Sequence, residues 1–210
     1  MSKKCFIFGA LEINHKIMQP DDGDFVIACD RGLLNTQKFN IGCDAVIGDF
    51  DSLGYCPNND NVIILPTHKD DTDIGYAIKY AVERGYTVFY IYGAVGGRYD
   101  MTFANLQLAS FLSKKGCFAL FFGKHQSFTV ITDSSVYFPK AEGRVSVFSV
   151  SDSSEGVDLI NLEYELNNAT LTPFYPLGVS NSFIGKESVI SVRNGTLAIF
   201  FEGDIIPERR

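Results

Sequence analysis

The sequence has no tryptophan and only three histidines among its 210 residues. The histidines are scattered without the spacing of zinc ligands, so a zinc site is not expected. The five cysteines are odd in number and form no C-x-x-C pair, which disfavours a disulfide framework. Cys5, Cys29 and Cys117 lie in apolar runs and are expected to be inert core residues. These features indicate a cytoplasmic protein with reduced thiols.

Long apolar runs and basic runs are also missing. No apolar stretch reaches membrane-spanning length, and the apolar part of residues 1–9 is too short for a signal peptide, so a first buried strand is expected there. No run of Lys or Arg interleaves with aromatic residues, so nucleic acid is not an expected partner. The net charge of −7 is compatible with ATP where metal ions and local Arg or Lys neutralise the phosphates. It also suits a cationic second substrate.

The first part of the chain alternates short apolar runs with helix-like segments, which is typical of a mostly parallel α/β sheet. Residues 72–84 and 99–113 show helical spacing of apolar residues before a glycine, and a further helix is predicted over 32–39. The predicted strands are Cys5–Phe8, Phe25–Cys29, Ala45–Ile47, Val62–Leu65, Thr87–Tyr92 and Phe118–Phe122.

The pattern changes after Gly123, where short alternating runs are separated by Ser, Asn, Gly and Pro. Such runs predict an antiparallel sandwich or barrel. We therefore expect a Rossmann-like, three-layer α/β domain over residues 1–123 and an all-β domain over 124–210. The strands predicted in this second part are Phe128–Thr132, Arg144–Val150, Val189–Val192 and Thr196–Phe201.

Carboxylates follow three successive predicted strands, at the sheet edge where open parallel sheets bind ligands. Any single one could be a turn or cap residue, and Asp71 or Thr72 could simply cap the following helix. In Gly48-Asp49-Phe50-Asp51-Ser52, however, two carboxylates point the same way while Phe50 faces inward, and such close like charges call for a cation. Hard oxygen ligands predict magnesium together with phosphates. The acids are Asp30, Asp49, Asp51, Asp70, Asp71 and Asp73.

A glycine-rich segment, Gly93-Ala94-Val95-Gly96-Gly97-Arg98-Tyr99-Asp100, connects a predicted strand to a predicted helix. Its backbone amides and the helix N-terminus attract anions, and Arg98 can hold phosphate oxygens bidentately. The segment is neither a Walker loop nor G-x-G-x-x-G, and alone it could reflect tight packing. Opposite an acidic cluster it indicates a phosphate site. Lys69, beside the acids, is either a phosphate ligand or a solvated lysine.

The ordered motifs resemble the thiamine pyrophosphokinase family over essentially the full length. Gly-Asp-Phe-Asp-Ser, then Thr-Asp, then Gly-Gly-Arg-x-Asp form a highly specific combination. The matching blocks are Ala28–Gly32, Gly48–Ser52, Lys69–Asp73, Gly96–Asp100 with Asn105, Gly156–Leu159, Leu162–Leu166 and Ser180–Phe183.

This resemblance implies transfer of the pyrophosphoryl group of ATP to the hydroxyl of thiamine, giving AMP and thiamine diphosphate. It also implies a homodimer whose sites combine the α/β domain of one subunit with the β domain of the other. Magnesium is expected on Asp49, Asp51 and Asp73, and catalysis on these residues with Arg98 and Asp100. ATP contacts are expected from Asp30, Lys69, Asp70, Asp71, Thr72, Gly96, Gly97 and Arg98, and substrate contacts from Asp100, Asn105, Ser180 and Asn181.

Two positions depart from the family pattern. Arg31 stands where the family has glycine in D-G-G, and Met101 stands where a polar residue follows G-R-x-D. Since there is no tryptophan, any stacking on the thiamine pyrimidine must come from Phe or Tyr, and Phe183 is one candidate. Either Asp71 or Asp100 could accept the proton of the substrate hydroxyl.

Three other functions fit parts of the pattern. A pyrophosphokinase for a pterin alcohol would share the catalytic core but not the second-domain motifs. A phosphatase of the haloacid dehalogenase type would share Asp-x-Asp, although that family places it after the first strand. A thiamine-binding protein that has lost catalysis would not need the full set of acids.

Overall fold

The computed structural model describes residues 3–57, 61–66, 70–203 and 205–209. The chain forms two compact units, one from residues 1–105 and 120–124 and the other from 106–119 and 125–210. The domain boundary after residue 123 stays a prediction.

The first elements are β1 (Lys4–Phe8), β2 (Phe25–Cys29), α1 (Gly32–Lys38), β3 (Ala45–Gly48), β4 (Val62–Ile64), α2 (Asp73–Glu83), β5 (Val88–Tyr92), α3 (Tyr99–Lys114) and β6 (Phe118–Phe122). Each of these was predicted to within one or two residues.

The first unit is built on parallel strands in the order β4-β3-β2-β1-β5, with β6 beside β5. Strands β1, β2, β3 and β5 are buried along nearly their whole length, as the interior strands of a parallel sheet must be. From β1 the chain builds outward to β4 and then returns to the other side of β1 with β5. The order therefore reverses between β1 and β5, and the ligand crevice of such a sheet lies at the carboxyl ends there.

Helix α2 begins where the sequence predicts, because the Thr72 hydroxyl accepts a hydrogen bond of 3.0 Å from the Gly75 amide. Its apolar face buries Ala77, Ile78 and Ala81. Helix α2 contacts β1, β2 and β3, and it therefore packs on the strands that precede Asp30 and Asp49.

The second unit contains two antiparallel groups of strands. One has the order β12-β9-β14-β7 and the other the order β11-β10-β13-β8-β15. The strands are β7 (Ser127–Thr132), β8 (Ser135–Phe138), β9 (Glu142–Ser149), β10 (Ser154–Ile160), β11 (Leu166–Leu171), β12 (Gly178–Ile184), β13 (Ser188–Ser191), β14 (Thr196–Phe201) and β15 (Glu208–Arg209).

Aromatic packing joins the two groups of strands. The Phe138 ring of β8 lies 5.1 Å from the ring of Phe183 and 5.3 Å from that of Phe201. The fold class is therefore confirmed as a mostly parallel α/β unit followed by an antiparallel β unit. The predicted list of strands was incomplete, because β8, β10, β11, β12 and β15 were missed. Their polar and glycine residues, as in Leu-Asn-Asn-Ala-Thr-Leu of β11, hide the alternation expected of a strand.

The described helices include none that is long and apolar enough to cross a membrane. No disulfide joins the cysteines, and Cys5, Cys29 and Cys117 are buried as predicted. Burial raises the pKa of the Cys5 thiol far above its ordinary value, because the thiolate would lose its hydration.

Candidate active site

Asp30 lies against the turn that carries Asp49 and Asp51. Its amide donates a hydrogen bond of 2.9 Å to the Ile47 carbonyl. A Cβ placed on Gly48 would lie 3.2 Å from the Cα of Asp30, so the two loops meet at a glycine. The Ser52 hydroxyl donates to Oδ2 of Asp30, while Oδ1 is buried and has no hydrogen-bond partner among the described residues. Asp30 also has φ of 49°, a left-handed conformation that non-glycine residues adopt mainly where function or packing enforces it.

The turn after β3 exposes its carboxylates by burying the residue between them. Phe50 has φ of 61° and is only 4% exposed, packed with Ala28, Leu33 and Val46. Asp49 is half-buried, and its Oδ1 accepts a hydrogen bond of 3.3 Å from the amide of the exposed Asp51. The inward direction predicted for Phe50 is confirmed. This anchor places both carboxylates at the carboxyl edge of the sheet.

The residues just before α2 differ in their contacts and in their exposure to solvent. Asp71 forms an ion pair of 2.5 Å with Lys79, and Thr72 is the N-cap of the helix. The Cys29 thiol donates to the Asp73 carbonyl at 3.6 Å, so the first turn of α2 adjoins the end of β2. Asp70 is exposed. The predicted ATP ligand Lys69 lies outside the described residues.

Two glycines occupy the switch point between β1 and β5. A Cβ on Gly9 would lie 2.6 Å from the Gly93 carbonyl oxygen, and a Cβ on Gly93 would lie 2.6 Å from that of Gly9. The Leu11 amide donates to the Gly93 carbonyl at 3.0 Å, which ties the loop after β1 to the glycine-rich loop. Only glycine allows this approach of two backbones. Gly96 and Gly97, which follow, are exposed.

Asn105 supports the glycine-rich loop from beneath. It is only 2% exposed, and its Nδ2 donates a hydrogen bond of 2.7 Å to the Ala94 carbonyl. Its Oδ1 is buried without a hydrogen-bond partner among the described residues. The side chain predicted to contact substrate thus holds the loop that precedes Gly96 and Gly97.

Arg98 and Asp100 form a pair at the exposed start of α3. Nε of Arg98 donates to Oδ1 at 3.1 Å and Nη2 donates to Oδ2 at 2.5 Å. The hydrogen bond from Arg98 lowers the pKa of the Asp100 carboxyl, and the same pair raises the pKa of Arg98. Nη1 of Arg98 takes no part in this pair and is a donor available to an anion.

Arg31, one of the two departures from the family pattern, is exposed and lines a cavity of about 250 Å³ at the same edge of the sheet. Lys38 lines the same cavity and is held by Glu12 at 3.2 Å and by the Asn14 amide oxygen at 2.7 Å. Arg31 therefore brings a second guanidinium to the carboxyl edge, beside Asp30 in sequence. Met101, the other departure, is half-buried in the first turn of α3.

Asn35 is a site-building residue that the sequence analysis missed. This side chain of α1 is 4% exposed and accepts from the Ile13 amide at 3.2 Å. It also donates to the carbonyls of Gly9 and Leu11, both at 2.9 Å. Asn35 therefore fixes the loop after β1. The signal in the sequence was no more than a polar residue directly after two leucines in a short helix.

In the second unit, Ser180 and Asn181 lie at an irregularity in the pairing of β12 with β9. Ser180 is exposed with φ of 57°, and its amide donates to the Ser146 hydroxyl at 3.0 Å. Asn181 is buried and bonds both backbone groups of Tyr164, accepting at 2.9 Å and donating at 2.6 Å. Asn181 therefore positions the segment around Tyr164. Phe183 is only 4% exposed and packs in the core, so it does not offer a stacking surface.

Among the described residues, no three His, Cys, Asp or Glu side chains gather into a group able to hold a metal ion. Magnesium in phosphate-transfer sites is commonly held by one or two carboxylates together with phosphate oxygens, so a three-residue group is not required. Oxygen donors and the buried, unpartnered Oδ1 of Asp30 fit the chemistry of this ion and its phosphates.

Two family models match the chain. Residues 20–120 match "Thiamin pyrophosphokinase, catalytic domain", and residues 133–197 match "Thiamin pyrophosphokinase, vitamin B1 binding domain". Together these matches span most of the sequence.

Individual proteins agree with the family models. The chain is 24% identical over 192 residues to the thiamine pyrophosphokinase of Bacillus subtilis, covering 88% of this chain and 90% of that one. The crystal structure of a Bacillus subtilis thiamine pyrophosphokinase aligns with a TM-score of 0.83 at 22% identity, covering 96% of this chain and 100% of the other. The yeast thiamin pyrophosphokinase aligns with a TM-score of 0.71 at 14% identity, covering 98% and 87%. These structural likenesses establish the fold.

Proposed function

The chain belongs to the thiamine pyrophosphokinase family, and from this we propose that it transfers the pyrophosphoryl group of ATP to the hydroxyl of thiamine. The observation that carries the proposal is that one family model, for catalysis, and another, for vitamin B1 binding, match successive parts of one chain. The products are thiamine diphosphate and AMP.

We propose that Asp49, Asp51 and Asp73 hold magnesium, and that Asp30, Lys69, Asp70, Asp71, Thr72, Gly96, Gly97 and Arg98 surround the ATP. When bound, magnesium neutralises charge on the phosphates. Asp30 supports the proposal because its buried Oδ1 lacks a partner beside the turn of Asp49 and Asp51. The exposed guanidinium of Arg31 adds positive charge at the same edge of the sheet, and this charge offsets part of the negative charge of the acidic side chains.

In the proposed reaction the hydroxyl oxygen of thiamine forms a bond to the β-phosphorus, and the bond from that phosphorus to the bridging oxygen of AMP breaks. Positioning and charge neutralisation dominate such transfers. Arg98 would hold the transferred group through Nη1 while Asp100 fixes its other nitrogens. The hydroxyl proton passes to a carboxylate. Asp100 and Asp71 are the two candidate acceptors, and both carboxylates are ion-paired, Asp100 with Arg98 and Asp71 with Lys79.

We propose that Ser180 and Asn181 belong to the thiamine side of the site. The left-handed φ of Ser180, at 57°, supports this because such conformations concentrate at ligand sites. Asn181 would act by holding the Tyr164 backbone, and Tyr164, which is 64% exposed, replaces Phe183 as the aromatic residue available for stacking.

We also propose a cytoplasmic homodimer with sites shared between subunits. Exposed apolar side chains in the second unit support the dimer, since a contiguous patch of this kind commonly marks an interface. Phe174 is 88% exposed, Tyr175 71%, Leu177 53% and Val179 47%, all within one stretch of six residues. Sedimentation velocity of the protein would give a dimer, and Phe174→Ser would shift it toward monomer.

The proposed activity is tested by incubating the purified protein with thiamine and Mg-ATP and separating nucleotides from thiamine esters. AMP formed in step with thiamine diphosphate supports pyrophosphoryl transfer. ADP with thiamine monophosphate would contradict it. Turnover of a pterin alcohol but not thiamine would assign the core to another acceptor, and saturable thiamine binding with no product would indicate lost catalysis.

A further inference from the structure

Arg31 stands beside the carboxyl end of β1, although it follows β2 in the chain. A Cβ on the next residue, Gly32, would lie 1.8 Å from the Phe8 carbonyl oxygen and 3.2 Å from that of Gly9. The start of α1 therefore packs directly against the end of β1. The strand order reverses at β1, and a sheet of this kind binds its ligand in the crevice there. The close approach at Gly32 thus places Arg31 at the edge of the expected ligand crevice.

One face of α1 and the loop after β1 enclose the cavity of about 250 Å³ that Arg31 lines. The lining residues of α1 follow helical spacing and so share one face of the helix. They are Arg31, Leu34, Asn35 and Lys38, and the loop contributes Ala10 and Glu12. Sites for whole drug-sized ligands span ~300–1,000 Å³, so this cavity suits a smaller group, such as a sugar that carries one phosphate.

Hydrogen bonds from α1 hold the opposite wall of the cavity in place. Asn35 donates to the carbonyls of Gly9 and Leu11, both at 2.9 Å. Nζ of Lys38 donates to the Ile13 carbonyl, also at 2.9 Å. These bonds tie the loop to the helix at two points along the cavity. The cavity is therefore already formed by the chain itself, as small-molecule sites usually are.

The cavity carries one positive charge that no described residue neutralises. Lys38 is ion-paired with Glu12 at 3.2 Å, so these two charges of the lining offset each other. Arg31 is exposed, and in the described part of the chain no carboxylate or carbonyl pairs with its guanidinium. A guanidinium with its N–H donors free can hold a phosphate group bidentately. An anionic group is therefore the ligand that the charge of this cavity favours.

The loop after β1 also touches the glycine-rich loop. A Cβ on Gly97 would lie 2.7 Å from Cδ2 of Leu11, so the residue before Arg98 packs on the loop that walls the cavity. Arg31 lies beside this loop, and Arg98 directly follows the glycine that contacts it. A nucleotide in the crevice therefore meets two separate guanidinium groups. Because Arg98 is assigned to the transferred group, Arg31 is available to the phosphate that stays behind.

We propose that Arg31 binds the phosphate that leaves with AMP, and that the cavity beside it takes the attached ribose. This inference rests on the proposed transferase reaction, in which the transferred group and the AMP phosphate separate. The side chains of Ala10 and Leu34, which is 42% exposed, pack on the carbon atoms of the sugar. Glycine, which the family pattern has at position 31, has no side chain to make this contact. Arg31 is thus a nucleotide-binding residue particular to this chain.

Calorimetric titration of the full-length protein with AMP and with adenosine, in buffer containing magnesium, tests the proposal. In Arg31→Gln the dissociation constant of AMP should rise about tenfold, because a hydrogen-bonded charge is lost. Adenosine has the same base and sugar without the phosphate, so its affinity should not change. Arg31→Lys restores the charge without the planar donor group and should recover part of the affinity for AMP.

Arg84→Gln is the matched control, because it removes an equal charge from an exposed position at the far end of α2. Its affinity for AMP should be that of the unaltered protein. The proposal is overturned by absent saturation with AMP, by unchanged AMP affinity in Arg31→Gln, or by equal weakening for AMP and adenosine.

Formation of thiamine diphosphate is measured separately on the unaltered protein. Its absence would refute the transferase reaction itself. Normal formation, together with AMP binding that does not depend on Arg31, would refute only the role assigned to Arg31.

Discussion

The guanidinium of Arg98 is held by the carboxylate of Asp100 through two parallel hydrogen bonds, from Nε to Oδ1 at 3.1 Å and from Nη2 to Oδ2 at 2.5 Å. Both side chains are exposed, so the pair adds little to stability. Its consequence is orientation, because the guanidinium plane is fixed while Nη1 stays available. Asp100 therefore serves Arg98 as a positioning residue in the proposed reaction.

The pair makes a prediction about pH. Because Arg98 lowers the folded-state pKa of Asp100 below its ordinary 3.8, the interaction is fully present above that value and is lost only as pH falls through the lower folded pKa. Carboxyl carbon NMR should therefore find Asp100 mostly ionised at pH 3.8. Arg98→Gln should return the midpoint toward the ordinary value. A midpoint at or above 3.8 in the unaltered protein would contradict the pairing.

Kinetics should separate the roles of the two residues. Arg98→Lys removes the planar donor group and should lower kcat about a hundredfold. Asp100→Asn keeps the arginine charge but loosens its orientation, so a smaller loss of about tenfold is expected. Arg84→Lys, at the far end of α2, is the matched control and should change little. If Asp100→Asn were as damaging as Arg98→Lys, Asp100 would need a direct chemical role.

Asp51→Asn tests the proposed magnesium site. We expect turnover to fall about a hundredfold or more, and the magnesium concentration at half-maximal rate to rise, because a carboxylate that holds the ion is lost. The fold should be intact, since Asp51 is exposed. Asp22→Asn makes the same change at an exposed position away from the site. Near-normal turnover of Asp51→Asn would refute the assignment.

Gly32→Ala should be strongly destabilising. A Cβ at Gly32 would lie 1.8 Å from the Phe8 carbonyl oxygen, so α1 or β1 must shift, at a cost of roughly 1–3 kcal/mol. Gly42→Ala is the matched control, because a Cβ there meets nothing within 4 Å, and it should be neutral or slightly stabilising. Urea unfolding followed by circular dichroism measures both. Equal stabilities would show that α1 does not need this close approach.

Asn181→Ala should affect both stability and thiamine recognition. It leaves the N–H and C=O of Tyr164 without their side-chain partner, at a cost of ~1–3 kcal/mol. We expect a raised KM for thiamine with a smaller change in KM for ATP, because the Tyr164 segment lies in the second unit. Asn167→Ala, at an exposed position of β11, is the control. If the variant were destabilised but its KM for thiamine were unchanged, Asn181 would have a structural role only, and its assignment to the thiamine side would be wrong.

Local patterns were enough to predict most of the first unit. Apolar runs such as Phe25–Cys29 are buried on both faces, and a periodic apolar face followed by Gly85 defines α2, so the sequence alone identifies them. The inward direction of Phe50 followed from strand alternation. The strands of the second unit were harder to predict because Asn and Gly residues, tolerated at exposed positions and bulges, interrupt the period of two.

The sequence by itself determined the order of the elements, the acids at the ends of the strands and the motifs that place the chain in its family. Only the tertiary structure decided which of these polar residues are buried and what they touch. The structure shows that Asn105 and Asn181, predicted from the sequence as substrate contacts, also hold backbone segments by hydrogen bonds, and that Asn35 does the same for the loop after β1. The reason is physical. Motif spacing follows from the local chain, whereas hydrogen-bond partners of a buried side chain come from segments far away in sequence.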